Sequence, residues 1–331
     1  MAEIVTTTGK RFRAHEGESI LDAALRNGVA LEYSCRSGRC STCKAQLRGG
    51  STAALHDESG LSPTQRADGW ILTCVRVASS DLVLEVEDLG NVRMFRARTH
   101  PCRVQILEHV SPDVARVVLR LPPGAEFRYH PGQYIDILAQ GGLRRSYSIA
   151  NAHAAGNQIE LHVRRIPGGT MSDYWFGQAK ANDLLRLQGP LGTFFLRDVA
   201  GRDLLFLATG TGIAPVKAML EGLLVTDPEL RPDSTRVYWG GRSPPDFYWN
   251  FSGVGTEYRF VRVLSRPYDG WTEARGHVQD VLLAERPDLH RSTVYACGSD
   301  LMVRDSRRVL VDAGLPERRF HSDAFLPSGA A

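Results

Sequence analysis

The sequence predicts a multidomain chain: a small α+β domain, then an antiparallel β-barrel, then a doubly wound parallel sheet. Three observations carry that expectation. Up to about residue 90, short strand patterns and one amphipathic helix surround a cysteine-rich loop. The stretch that follows alternates apolar and polar residues between turn signals, the period of half-buried strands. From about residue 200, buried strand-like runs alternate with helical ones, the order of parallel βαβ units.

Bulk properties limit the function classes. A length of 331 residues suits two or three domains, and a hydrophobic share of 43% is enough to fill their cores. The net charge of +3 is too small to argue for a nucleic-acid partner, so any charged docking face is local. The opening "MAEIVTTTGKRFRAHEGESI" has no apolar secretory segment, and no apolar run reaches the length of a membrane span. A cytoplasmic chain with reduced thiols is expected.

In the first domain, "EIVTTTGKRFRAHE" reads as a hairpin with a glycine turn. "SILDAALRNGV" reads as a helix, with Ser19 as N-cap, Asp22 in the first turn and Gly28 ending it. Strands follow at "KAQLRGG" and "DLVLEVED". Between helix and strand lies "YSCRSGRCSTCKAQL", in which Cys35, Cys40 and Cys43 form C-x4-C-x2-C, with Cys74 far downstream. A disulfide, a zinc ion and an iron–sulfur cluster compete for these sulfurs. A reducing compartment argues against the first. A zinc ribbon would present two close pairs, whereas this is the spacing of a plant-type [2Fe–2S] loop. The cluster is anionic, so its loop must turn backbone N–H groups toward the sulfurs. Small residues such as Ser37, Gly38 and Ser41 permit that close approach. Cys35, Cys40, Cys43 and Cys74 are therefore expected to hold a [2Fe–2S] cluster.

The polar, weakly patterned "LGNVRMFRARTHP" reads as a linker, centred on residues 91–100. Barrel strands are expected at "CRVQILEHV", "VARVVLRLP", "GQYIDILA", "RRSYSIAN" and "QIELHVRRI", in a domain over 101–198. A final domain over 199–331 begins with a strand, a glycine-rich turn and an apolar helix in "DLLFLATGTGIAPVKAMLEGLL". The turn from Thr209 through Gly210, Thr211 and Gly212 to Pro215 is a weak dinucleotide signal alone, because Pro215 replaces the third glycine. Proline suits the first turn of a helix, however, where its missing N–H costs nothing.

Together "RSYS", "GTGIAP", "ACGSDLM" and the C-terminal "SDAF" resemble the ferredoxin–NADP⁺ reductase superfamily. The whole layout, with residues 1–90 as a β-grasp ferredoxin domain, is similar to the NADH-dependent reductases of ring-hydroxylating oxygenases, of the naphthalene dioxygenase reductase type. It is also similar to the reductase that serves 3-deoxysugar formation on CDP-hexoses. The resemblance implies FAD on the barrel and NADH on the parallel sheet. Arg145 would neutralise the FAD pyrophosphate, Tyr147 face the isoalloxazine and Ser148 reach flavin N5. Gly169, Thr170, Met171 and Ser172 would take the phosphates at a helix start. His162 sits where the family contacts flavin, or is a satisfied strand histidine. Cys297 and Gly298 would lie beside the nicotinamide, and Phe325 would lie across the flavin. Arg242 is the one basic residue seen near the expected adenosine ribose, which favours NADH over NADPH. Cys102 reads as a small buried hydrophobe. The implied activity passes electrons from NADH through FAD and the cluster to an oxygenase or ferredoxin protein, the chain acting as a monomer. The alternative acceptor is a CDP-deoxyhexose dehydrase. A non-catalytic electron carrier or redox sensor is the rival from another class.

Overall fold

The computed structural model describes residues 1–90, 92–139, 142–152, 157–251 and 258–326. The chain divides into two compact units, with the division between Phe95 and Arg96.

The first unit is a five-stranded sheet in the order Arg11–Ala14, Ala2–Thr6, Leu82–Glu85, Lys44–Gly49, Trp70–Leu72. The first and last of these strands in chain order, Ala2–Thr6 and Leu82–Glu85, run parallel, so the chain between them must include a crossover. The helix Ile20–Arg26 makes that crossover. Ser19 Oγ caps it by accepting from Asp22 N at 3.1 Å, and Gly28 leaves it at φ 76°. Its apolar face, Ile20, Leu21, Ala23 and Ala24, is buried with Ile4, Phe12, Leu72 and Leu84. Three small elements escaped the sequence pattern: the helix Pro63–Ala67, the strand Trp70–Leu72, and a two-stranded sheet of Thr52–Ala54 with Arg76–Ala78. Each is too short to show a period.

In the second unit, the six-stranded barrel runs Arg144–Ser148, Tyr134–Leu138, Leu184–Leu191, Arg98–Ser111, Val114–Arg120, Gln158–Arg164. Every pairing is antiparallel, and the bridge Ile149↔Leu161 joins the two ends. Two features differ from expectation. Leu184–Leu191, "LLRLQGPL", is a central strand that its Gly-Pro pair hid. The strand Arg98–Ser111 begins inside the segment read as linker, where Arg98 and Thr99 pair with Gly189 and Gln188.

The remaining sheet is parallel throughout, in the order Ala274–Arg275, Arg259–Leu264, Ser234–Gly241, Asp203–Thr209, Ser292–Ser299, Phe320–Phe325. Its strands read as near-continuous apolar runs because helices Ile213–Leu224, Val278–Ala284 and Asp300–Asp312 cover them. Asp203–Thr209 has Ser234–Gly241 on one side and Ser292–Ser299 on the other, so the strand order reverses beside it. The carboxyl end of that strand is the switch point where ligands of such sheets bind.

Candidate functional site

The cysteine loop is shaped by its backbone. Arg36, Gly38 and Ser41 all take positive φ, at 55°, 73° and 63°. A Cβ on Gly38 would stand 2.3 Å from the Asp57 carbonyl oxygen, so no other residue fits there. These turns aim donors at sulfur: Ser37 N reaches Cys35 Sγ at 3.4 Å, and Cys35 N reaches Cys40 Sγ at 3.5 Å. The backbone N–H of Gly38 also favours the Cys74 thiolate, and that of Arg39 the Cys35 thiolate. All four cysteines are free thiols, and Cys43 and Cys74 lie with sulfurs 3.3 Å apart.

Among the described residues, no group of three or more His, Cys, Asp or Glu is placed to hold a single metal ion. The sulfurs instead form two pairs, Cys35 with Cys40 and Cys43 with Cys74. Two pairs suit two irons better than one zinc. A neighbouring sulfur and then burial push the Cys40 and Cys43 thiols well up, so four thiolates need a cation between them. The residues fit a [2Fe–2S] cluster.

On the barrel, the strand Arg144–Ser148 carries the predicted flavin residues. Tyr147 is held by Trp175, whose indole Nε1 donates to its hydroxyl at 3.1 Å, with the rings edge to face. Ser148 is buried beside it, while Arg145 is half-buried with Nη1 on the Arg144 carbonyl. Gly168 turns at φ 72°, and Gly169 precedes the helix Thr170–Asp173 without a side-chain cap. The first-turn N–H groups of Thr170 and Met171 therefore remain for an anion. Ser172 Oγ is spent differently from expectation: it accepts from Ile166 N at 2.8 Å and closes the turn. This combination of a clamped aromatic face, an arginine and an uncapped helix start fits FAD.

His162 belongs to a buried network. Its Nδ1 meets the Tyr248 hydroxyl at 3.0 Å and its Nε2 meets Glu160 Oε1 at 3.0 Å. Burial pulls the imidazole pKa down, so the neutral ring donates Nε2–H to Glu160 and accepts from Tyr248. Burial raises the Glu160 carboxyl, but the His162 hydrogen bond and the Lys217 and Arg116 charges overcome it and leave its pKa at about 2. Lys217 lies 3.2 Å away and Arg116 2.9 Å. Both ring nitrogens of His162 thus meet protein partners.

The nucleotide turn is locked by close backbone contacts. A Cβ on Gly212 would lie 2.1 Å from the Cys297 carbonyl oxygen, and one on Gly298, at φ 135°, 2.2 Å from Thr209 Oγ1. Thr209 Oγ1 accepts from Ser299 N at 3.0 Å, which ties two strand ends together. Thr211 is buried, and Pro215 is buried in the first turn of the helix Ile213–Leu224. Cys297 is fully buried, and burial pushes its thiol well up. Phe325 is no tail residue: it ends the strand Phe320–Phe325 opposite Ser299. The exposed Arg242 gives its backbone N–H to Asp246 Oδ2 at 2.7 Å.

Sequence reading missed Trp175, Tyr248, Asp246 and Arg164. None sits in a recognisable motif. Trp175 and Tyr248 carried a weak signal as large aromatics immediately after a predicted site segment.

Comparison with known proteins covers all three regions. Residues 4–79 match the family model for a 2Fe-2S iron-sulfur cluster binding domain. Residues 101–196 match the oxidoreductase FAD-binding domain, and 206–308 the oxidoreductase NAD-binding domain. The chain is 40% identical over 328 residues to a CDP-6-deoxy-L-threo-D-glycero-4-hexulose-3-dehydrase reductase of Yersinia pseudotuberculosis, covering 97% of each. It is 32% identical to a terephthalate 1,2-dioxygenase reductase component of Comamonas sp, over 95% of this chain and 94% of the other. Among solved structures, the ferredoxin reductase in carbazole 1,9a-dioxygenase is similar at 26% identity and a TM-score of 0.72, covering 98% of each chain.

Proposed function

Because the chain belongs to the ferredoxin–NADP⁺ reductase superfamily, in the branch that adds a 2Fe-2S domain, we propose that it delivers electrons from NADH to the oxygenase or ferredoxin component of a ring-hydroxylating oxygenase system. It is an oxidoreductase whose three domains bind a [2Fe–2S] cluster, FAD and NADH. The observation that carries the reading is the pairing of cluster-ready sulfurs with a clamped Tyr147 and a glycine turn at the sheet's switch point. Bound FAD would accept a hydride and release single electrons, the form in which a [2Fe–2S] cluster takes them.

The chain's own residues bind and orient. Arg145 and the N–H groups of Thr170 and Met171 would neutralise the FAD phosphates, and Tyr147 would support the ring. Ser148 would present its hydroxyl at the reacting edge. Thr209, Gly210, Thr211 and Gly212 would admit the nucleotide's phosphates, with Pro215 setting the helix start behind them. Gly298, beside Cys297, would give the nicotinamide backbone access, and Phe325 would cover the flavin until nicotinamide enters. With a single basic residue, Arg242, at the ribose end, NADH is the expected donor. We place the protein in the cytoplasm, supported by its free cysteines, and expect it to act as a monomer. No described helix is long and apolar enough to cross a membrane.

A second reading has its own support. The 40% relative is a dehydrase reductase, and this reading assigns the acceptor to a CDP-deoxyhexose dehydrase. Purified protein should contain FAD, two irons and two sulfides, and should oxidise NADH with a higher kcat/KM than NADPH. Reconstitution with an oxygenase and with a dehydrase separates the acceptors. Protein lacking FAD and unable to oxidise NADH would be an electron carrier or sensor, and the proposal would fail.

A further inference from the structure

A charged grip joins the flavin barrel to the nucleotide sheet. The helix Ile213–Leu224 starts at the glycine turn and packs on the barrel. A Cβ on Gly132 would stand 2.3 Å from Met219 Cε, and one on Gly222 3.2 Å from the Pro131 ring. These apolar contacts set how close the helix comes, but they are non-directional and do not fix where it stops along the barrel. Two side chains one turn apart do. Lys217 Nζ donates to the Ala150 carbonyl at 2.9 Å, and Glu221 Oε2 accepts from Ala152 N at 3.0 Å. A cation thus takes the carbonyl and an anion the N–H of one short segment, while the two side chains pair with each other at 2.6 Å. Lys217 also lies 3.2 Å from Glu160 Oε1, in a carboxylate that meets Arg116 and His162 as well. The Lys217 side chain is only 12% exposed, so salt screens these contacts little. Ala150 follows Ser148 by two residues, and Lys217 follows Pro215 by two. The grip therefore ties the exit of the flavin strand to the helix behind the nucleotide turn.

We propose that Lys217, together with Glu221, is a positioning residue for hydride transfer: by fixing the exit of the flavin strand on that helix, it sets the distance from the flavin edge at Ser148 to the nicotinamide beside Gly298. The inference rests on the NADH reading above and adds two residues that lie outside both cofactor motifs. The plain alternative is an ion pair that only stabilises the fold. Such a pair needs no particular backbone partner, and a buried pair can often be exchanged for apolar side chains without loss of stability. A grip that tells a carbonyl from an N–H two residues away specifies a register instead. Hydride transfer tolerates little error in register, since a displacement of about 1 Å can cost on the order of a hundredfold in rate.

The test uses full-length, FAD-loaded protein in anaerobic stopped flow, with flavin absorbance followed over a range of NADH concentrations. Lys217→Met keeps the length and removes the charge. It should slow flavin reduction at saturating NADH by at least about tenfold, while the NADH dissociation constant changes by less than about threefold. Reduction by dithionite, which needs no nucleotide, should keep its wild-type rate. Lys217→Arg can still donate to the Ala150 carbonyl and should recover most of the loss. Glu221→Ala should slow reduction by about threefold and add nothing in the Lys217→Met background. Removal of Glu221 leaves Lys217 its Glu160 partner, so this variant should fold even where Lys217→Met does not. Amide hydrogen exchange gives a readout independent of turnover: the Ala152 N–H should lose protection in Glu221→Ala. An unchanged limiting rate in Lys217→Met, or in Glu221→Ala if only that variant folds, would overturn the positioning role and leave the NADH reading intact. Loss of FAD, or an equal slowing with dithionite, would make the pair structural only. Additive losses in the double variant, or full protection of Ala152 in Glu221→Ala, would remove Glu221 from the grip. Wild-type flavin that NADH does not reduce would overturn both the inference and the reading it rests on.

Discussion

The cysteine loop and the nucleotide turn solve the same problem, close approach to a charged group, in opposite ways. The loop does so locally. Between Cys35 and Cys43 the chain bends through three positive φ angles, and the donors to sulfur come from the loop itself. The turn at Gly210–Gly212 is built from distant parts. Its shape depends on the Cys297 carbonyl, on Gly298 and on Arg164, which join it from other strands. A site with three of its four ligands in one segment can be read from spacing, and it fails all at once when one ligand is lost. A site assembled from strand ends is hidden in the sequence, and it should fail by degrees.

The largest effect expected from this contrast is in the loop. Cys43→Ser should abolish the iron–sulfur absorbance while FAD stays bound, since the cluster ligands and Tyr147 lie in different units. Retention of two irons and two sulfides per chain would remove Cys43 from the ligand set.

Next is separation of the two units. A fragment starting at Arg96 should fold, bind FAD and reduce ferricyanide with NADH, but reduce cytochrome c at least about a hundredfold more slowly than the full chain, having lost the one-electron port. Equal rates would mean that the cluster is not the exit. A start at His100 should be less stable, because it deletes the Arg98 and Thr99 pairing with Gly189 and Gln188. A comparison of urea midpoints for the two starts would show it.

A smaller and graded loss is expected on the barrel. Arg145→Ala should raise the FAD dissociation constant by about ten- to a hundredfold, the worth of a charge-assisted contact to phosphate, without expelling the cofactor outright. An unaltered constant, measured by flavin fluorescence on dilution, would remove Arg145 from the site.

The smallest effect concerns acid stability. The Glu160 carboxyl lies at about 2 in the fold against an ordinary 4.5. A depressed carboxylate pKa stabilises above the unfolded value, and that stability is lost as pH falls toward the folded one. The Arg96 fragment should therefore lose on the order of 2 kcal/mol between about pH 5 and pH 2 through this group. Glu160→Gln should flatten that part of the urea-midpoint profile. A variant with the wild-type slope would place the acid sensitivity elsewhere.

The sequence made the architecture legible wherever apolar periodicity was long. The helix at Ser19–Gly28, the parallel strands and most barrel strands show it. It failed at Leu184–Leu191, because Gly189 and Pro190 look like a turn although they lie within a central strand. It also failed at Arg98–Thr99, whose mixed charges look like linker although their backbone is paired. Among the site residues, the four cysteines were readable because metal ligands have a fixed spacing. Arg164 and Asp246 were not, because they are 82 positions apart and meet only through the fold. His162 shows the opposite limit. A histidine on a strand announces itself in sequence, and only coordinates reveal that Tyr248 and Glu160 occupy both its nitrogens.

One contact in the nucleotide domain has an optical consequence. The Trp239 indole is fully buried and donates Nε1–H to the Gly210 carbonyl at 3.0 Å. Indole emission responds to the hydrogen bond that its nitrogen makes, so this chromophore reads the state of the turn directly. The chain has five tryptophans, and another, Trp175, is tied to Tyr147 in the same manner. Replacing the others by phenylalanine would leave one native fluorophore at the nucleotide turn and one at the flavin strand. Occupancy of each site could then be followed in the unlabelled protein by comparing variants that keep one of the two.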